Sequence, residues 1–187
     1  GDGVFAGLGF VQMLFERHAP DVRVIEQQKE GTLFEAGDIL LQLKGNTQSI
    51  LSLERIALNA LQRMSGIAKI TQFLQQKITR TPCQLLDTRK TTPNFRIAEK
   101  GAVAIGGGTN HRMGLYDAIM VKDNHIDFVG DIPATLAKVK AYLDRLDYPI
   151  PVIVETRNLE QIDDCLDFPW VERILLDNMT PEEVESA

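Results

Sequence analysis

Four short apolar runs constrain the fold more than anything else in the chain. CQLLD (83–87), AIMVK (118–122), PVIVE (151–155) and RILLD (173–177) are separated by stretches with helical patterning at 95–105, 131–146 and 158–166. Apolar runs of this length, without polar alternation, read as strands covered on both faces. Their alternation with helices predicts βα units around a parallel sheet. Each run also ends in charge. Asp87 leads into Thr88-Arg89-Lys90, and the later runs end on Lys122, Glu155 and Asp177. In a β/α barrel the C-terminal strand ends share one face, and that face carries the chemistry. Packing gives no reason for four successive runs to end in charged groups, so these residues are read as site residues. A last helix opens with Thr180 as N-cap, Pro181 at the first helical position and two glutamates in the first turn.

The first third of the chain has another style. Residues 8–18 carry apolar side chains at helical spacing, and Pro20-Asp21 ends that helix. VRVIEQ, TLFEAG and ILLQLKG, punctuated by Gly31, Gly37 and Gly45, predict a β layer. KEGTLFEAGDILLQLKG looks like the hairpin of lipoyl and biotinyl carrier domains. It lacks the exposed turn lysine flanked by Met, Asp or Ala, so it is read as structural. Residues 48–79 predict a long helix with a break or kink at Ser65-Gly66. Arg55 on that helix reads, on pattern alone, as a solvated side chain.

Charge narrows the ligand. The net charge is -6, yet residues 80–126 hold seven Lys/Arg (Arg80, Arg89, Lys90, Arg96, Lys100, Arg112, Lys122) against four acids (Asp87, Glu99, Asp117, Asp123). That stretch is therefore +3 and the remainder -9. It also holds His111 and His125. A cationic island in an acidic chain fits a small, multiply charged anion, while the remainder would repel nucleic acid. Arg89, Lys90 and Arg112, with Lys122 and His111, are suited to two or more carboxylates or phosphates. Glu155 and Asp177 are suited to Mg²⁺ held largely through water and a substrate's phosphates. The residues alone point to a barrel enzyme that takes a phosphorylated substrate with Mg²⁺ and a second, carboxylate-rich substrate. Gly106-Gly107-Gly108 lacks the GxxxxGK[ST] spacing and follows a helix. It is read as a helix-terminal turn and flexible loop that lets His111 and Arg112 enter the pocket. No apolar run approaches the ~20 residues that span a bilayer, and no secretory pattern is visible. Cys83 and Cys165 have no metal-like spacing and are read as reduced thiols. The expectation is a cytoplasmic protein. The absence of a starting Met adds the expectation of a fragment.

DTRKTTPNFR followed by EKGAVAIGGGTNHRMGLYDAIMVKDNHI closely resembles quinolinate phosphoribosyltransferases. ERIALNALQRMSGIA, GVFAG, VIVET and ILLDNM are similar to that family too, so the likeness runs through essentially the whole chain. The resemblance implies transfer of phosphoribosyl from phosphoribosyl pyrophosphate to quinolinate with decarboxylation, giving nicotinate mononucleotide, pyrophosphate and CO₂. It implies that Arg89, Arg112 and Lys122 bind the quinolinate carboxylates, with His111 and Thr88 beside them. It implies too that Lys90 contacts the phosphoribosyl substrate and that Glu155 and Asp177 face its ribose and Mg²⁺. Lys90, Glu155 and Asp177 are the expected catalytic residues. Arg55 is expected to reach the site of a neighbouring subunit, which implies a homodimer at least. The family commonly has Gly where this chain has Asn94, and Asn tolerates the same left-handed backbone. The resemblance also implies family members that extend beyond both ends of these 187 residues. The expected architecture is thus α/β, with an α+β sandwich-like domain (1–66) before an incomplete, open β/α barrel (67–187), and weak activity alone. The alternative is a non-catalytic dicarboxylate- or phosphate-binding protein.

Overall fold

The computed structural model describes residues 1–187. The chain forms two compact units, Gly1–His111 and Arg112–Ala187.

In the first unit, β1 (Gly3–Val4) leads into α1 (Leu8–His18) through Gly7, whose φ is 106°. Gly7 has no side chain to cap the helix. The Glu30 carboxylate does so from 22 residues away, accepting the Gly7 and Leu8 N–H groups at 2.7 and 2.8 Å. β2 (Arg23–Gln27) pairs antiparallel with β4 (Leu41–Lys44), and β3 (Leu33–Phe34) pairs antiparallel with β1. The expected single β layer is therefore two separate ribbons. The Asp38 carboxylate accepts the Glu35 N–H at 2.8 Å and Gly37 takes φ 101°, which turns the chain between β3 and β4 without pairing them.

α2 (Thr47–Ile78) starts at Asn46, whose side chain accepts from Gln48 N–H and Ser49 N–H. It runs unbroken through Ser65-Gly66, against expectation. The buried Ser65 hydroxyl instead accepts from Ala6 N–H at 3.1 Å and donates to Ala6 O at 3.2 Å. Its polarity ties the helix to the start of the chain. Ala57, Ala60, Met64 and Ala68 form the buried stripe of α2. α1 delivers Val11 and Phe15 to one core cluster with Ala57, while Val4 and Ala6 meet Met64, Ala68 and Ala102 in another. A fully buried side chain such as Phe15 contributes about 1.5–3 kcal/mol.

α3 (Arg96–Ile105) lies against α2 and closes through the three glycines. Gly107 N–H donates to Ala104 O and Gly108 N–H to Val103 O, each at 3.0 Å, with Gly107 at φ 89°. This is a Schellman closure. A Cβ on Gly106 would sit 2.5 Å from Ala68 O, and one on Gly108 2.7 Å from Val103 Cγ1. The run is a tightly packed helix stop, the helix-terminal turn that the sequence leads one to expect. The expected strand at 83–87 also fails to join the later strands. It forms only an isolated parallel bridge, Leu86 with Thr109. The Gln75 side chain takes the Leu85 N–H at 3.3 Å, so that amide is not spent on a ladder.

The second unit is built on β5 (Ile119–Val121), which leads through α4 (Asp123–Val129) and α5 (Ile132–Leu143) to β6 (Val152–Thr156). α6 (Leu159–Leu166), β7 (Arg173–Leu176) and α7 (Pro181–Ser186) follow. The strands lie in the order β5-β6-β7, all parallel, with Val121 opposite Val154 and Glu155 opposite Leu175. This mixed α/β unit holds an open three-stranded sheet that does not close. Val121, Val152 and Val154 pack against Ile126, Ile132, Leu136 and Cys165. Asp131, Asn158 and Thr180 cap α5, α6 and α7 as their residue types dictate. α4 escaped the periodicity reading because seven residues hold too few turns to display a period.

Candidate functional site

In the first unit, the loop between Leu86 and α3 carries Thr88, Arg89 and Lys90. Its entry is Asp87, whose side chain is 8% exposed beside Lys100 at 1%. Lys100 Nζ donates to Asp87 Oδ1 at 2.5 Å, and the His111 N–H donates to the same oxygen at 2.7 Å. The hydrogen-bond pattern turns the Asn110 amide so that it donates to Asp87 Oδ2 at 2.7 Å and to Lys100 O at 2.9 Å. Beyond Lys90, the Glu99 carboxylate accepts Thr92 N–H at 3.0 Å, Thr92 hydroxyl at 2.8 Å and Arg63 Nε at 2.6 Å. Burial pushes Glu99 upward, but the Thr92 and Arg63 hydrogen bonds outweigh it and hold this carboxyl below its ordinary value. Arg96 secures the middle, with Nε donating to Thr91 Oγ1 and Nη2 to Arg89 O. Asn94 takes φ 61°, the left-handed conformation its residue type allows.

Within this frame Thr88 and Lys90 are exposed and Arg89 is half-buried. The Arg89 Nε is buried without a hydrogen-bond partner, and no ion pair engages Arg89, Lys90 or Arg55. Arg55 lies exposed on α2, eight residues before Arg63, which is about 12 Å of helix rise. It is not gathered with the loop. His111 is, through its backbone bond to Asp87.

In the second unit, Arg112 Nη1 donates to Ala118 O at 2.8 Å. The Asp117 carboxylate accepts the Met113 and Gly114 N–H groups at 2.7 and 2.8 Å, closing the turn that Arg112 opens. Lys122 and Glu155 follow from the register: each lies one residue past the Val121–Val154 pair, on the sheet face away from the valines packed on the helices. Their side chains pair at 3.5 Å, with Glu155 12% exposed. Asp177 continues β7 two residues beyond Leu175, on that same face, and accepts Asn178 Nδ2 at 2.7 Å. No group of three or more His, Cys, Asp or Glu residues is gathered to hold a metal. Glu155 and Asp177 do not make an all-protein metal cage.

The four residues Arg63, Asp87, Glu99 and Lys100 escaped the sequence reading. Three of them belong to the charge island, but nothing in the spacing pairs Asp87 with a lysine 13 positions on. The one signal was an acid–base dipeptide, Glu99-Lys100, inside a helix that is otherwise largely apolar.

Residues 1–65 match the family model described as quinolinate phosphoribosyl transferase, N-terminal domain, and residues 67–187 match the C-terminal domain. The chain is 40% identical over 183 residues to the chloroplastic nicotinate-nucleotide pyrophosphorylase [carboxylating] of Arabidopsis thaliana, covering 95% of this chain and 52% of that protein. A probable nicotinate-nucleotide pyrophosphorylase of Synechocystis is 39% identical over 186 residues, covering all of this chain and 62% of the relative. The crystal structure of NadC from Streptococcus pyogenes superposes with a TM-score of 0.88 at 40% identity, over 99% of this chain and 65% of that one. The chain thus spans about half to two-thirds of the length of these relatives.

Proposed function

Since the chain belongs to the quinolinate phosphoribosyltransferase family, we propose that it carries substrate-binding residues of an enzyme that joins quinolinate to phosphoribosyl pyrophosphate. The products are nicotinate mononucleotide, pyrophosphate and CO₂, in the synthesis of NAD. The observation that carries this reading is the division among the cations. Lys100 and Arg63 are committed to Asp87 and Glu99, whereas Arg89 and Lys90 on the loop between them have no acidic partner. Cations left unpaired on a fixed loop suit an anionic ligand.

In this proposal Arg89, Arg112 and Lys122 take the quinolinate carboxylates, with Thr88 and His111 beside them. Lys90 takes the phosphoribosyl pyrophosphate, and Glu155 and Asp177 face its ribose. Positioning and charge do the work. A bond forms from the ring nitrogen to the ribose carbon while the bond from that carbon to pyrophosphate breaks. The ring-to-carboxylate bond then breaks to release CO₂. Its electron pair stays on the ring carbon beside the now cationic nitrogen until a proton replaces it. No side chain acts as nucleophile. Mg²⁺, near Glu155 and Asp177 and carried largely by phosphate and water, would offset the charge of the leaving pyrophosphate. Residues 1–66 and 67–187 are read as partial N-terminal and phosphoribosyltransferase domains of a cytoplasmic homodimer, in which Arg55 serves the neighbouring site. No helix is long and apolar enough to cross a membrane.

Calorimetric titration tests the substrate assignment. Quinolinate is expected to bind more tightly than nicotinate, which offers one carboxylate. Arg112→Ala is expected to weaken quinolinate binding by about tenfold or more, the scale of a lost charge-assisted pair. Unchanged affinity and turnover in Arg112→Ala would remove that residue from the site.

A further inference from the structure

Consecutive residues of α3 hold the two ends of the cationic loop. Lys100 grips Asp87 before it, and Glu99 grips Thr92 after it, with Arg63 of α2 completing the second grip. Four residues, Thr88 to Thr91, are strung between these anchors. The Asp87 anchor also receives the His111 N–H and the Asn110 amide. Thus two segments of this unit that carry proposed ligands, 88–90 and 111, end on the same buried carboxylate, while Arg55 lies apart from it.

Stability alone is a poor account of this arrangement. The buried Asp87–Lys100 pair recovers little more than its desolvation cost, the half-exposed Arg63 adds little by charge alone, and well-packed apolar residues of similar volume serve a fold equally well. What the pairs supply is direction. Apolar packing would leave the loop free to slide, whereas a carboxylate fixed by three donors and another fixed by Thr92 and Arg63 admit one loop path. The chain also places its charges so that each grip is internally neutral, Asp87 with Lys100 and Glu99 with Arg63. The grips leave the field of Arg89 and Lys90 uncancelled. A cavity of about 170 Å³, lined among others by Asp87, Thr88, Lys90, Glu99 and Lys100, lies under the loop.

We propose that Glu99 and Lys100 are positioning residues, a two-point clamp that presets Arg89 and Lys90 for the anionic substrate. The role rests on the quinolinate reading, and it acts through the loop without substrate contact. A clamp of this kind raises affinity by removing the cost of ordering the loop on binding.

The test compares quinolinate affinity by calorimetry, melting temperature by circular dichroism, and amide hydrogen exchange at Lys90, Thr91 and Thr92. The variants are Glu99→Gln, Lys100→Met, Thr92→Val and Thr92→Ser. Thr92 is exposed, so its variants fold even if a buried charge proves indispensable. Glu99→Gln and Thr92→Val are expected to weaken quinolinate about tenfold and to speed exchange at the three amides, while Thr92→Ser, which keeps the hydroxyl, behaves as the parent. A merely structural role predicts a lower melting temperature with affinity unchanged in the folded protein, and that result overturns the clamp. If the parent itself does not bind quinolinate, the functional reading fails separately. The exchange measurement then decides the clamp, and equal exchange rates in parent and Glu99→Gln overturn it.

Discussion

Lys100 concentrates the residue-scale energetics. Removing its ammonium leaves Asp87 buried with no counter-charge, so Lys100→Met is expected to cost about 3–5 kcal/mol in urea unfolding. The double variant Asp87→Asn/Lys100→Met removes both charges and should recover much of that loss. Glu99 gives a pH signature. Its folded-state value is depressed, so the stabilisation it brings is complete above its ordinary value of 4.5 and is lost as pH falls through the lower folded value. Urea midpoints measured from about pH 6 down to pH 3 should fall less steeply in Glu99→Gln than in the parent. The thiols separate in the same way. Burial, helped by Asp164, pushes Cys165 up to about 11, while Cys83 is exposed. Iodoacetamide should label Cys83 quickly and reach Cys165 only on unfolding. At this scale the sequence was legible wherever a residue type dictates its own role. Asn94 in the left-handed region and Thr180 as a cap are examples. Roles that depend on a distant partner were not legible. Glu30 capping α1 and Lys100 neutralising Asp87 are of that second kind.

At the scale of elements, α2 and α3 meet closely in the first unit. Gly106→Ala would drive a methyl to 2.5 Å from Ala68 O and 2.7 Å from Thr71 Cβ. Overpacking of this kind costs about 1–3 kcal/mol, measurable as a lower urea midpoint, whereas Gly66→Ala, whose Cβ meets nothing within 4 Å, should be neutral or stabilising. The helices themselves were readable from period and caps: α1, α3, α5, α6 and α7 all begin or end within a few residues of expectation. Strands were less so. A run such as CQLLD is apolar enough for a strand, but pairing depends on what lies beside it, and here only Leu86 finds a partner. Ser65-Gly66 misled for a related reason. A polar residue in mid-helix marks either a break or a remote partner, and Ala6 is 59 positions away.

For the whole molecule, charge separation is the property that binding should report. A chain of net charge -6 that keeps Arg89 and Lys90 uncompensated should bind quinolinate more weakly as salt rises from about 0.05 to 0.5 M, because screening shortens the reach of those cations. A binding isotherm indifferent to salt would point to apolar recognition instead. The α/β character was legible because βα alternation is a long-range rhythm. The compact units were not: they divide after His111, where no composition change marks a border. α2 has one more consequence. The family border near residue 66 falls inside its 32 continuous residues. Fragment complementation should feel this. Two pieces severed at 66 would each present a frayed helical stump and recombine poorly, while pieces severed at the exposed Gly37 turn would keep the rod whole and find each other readily.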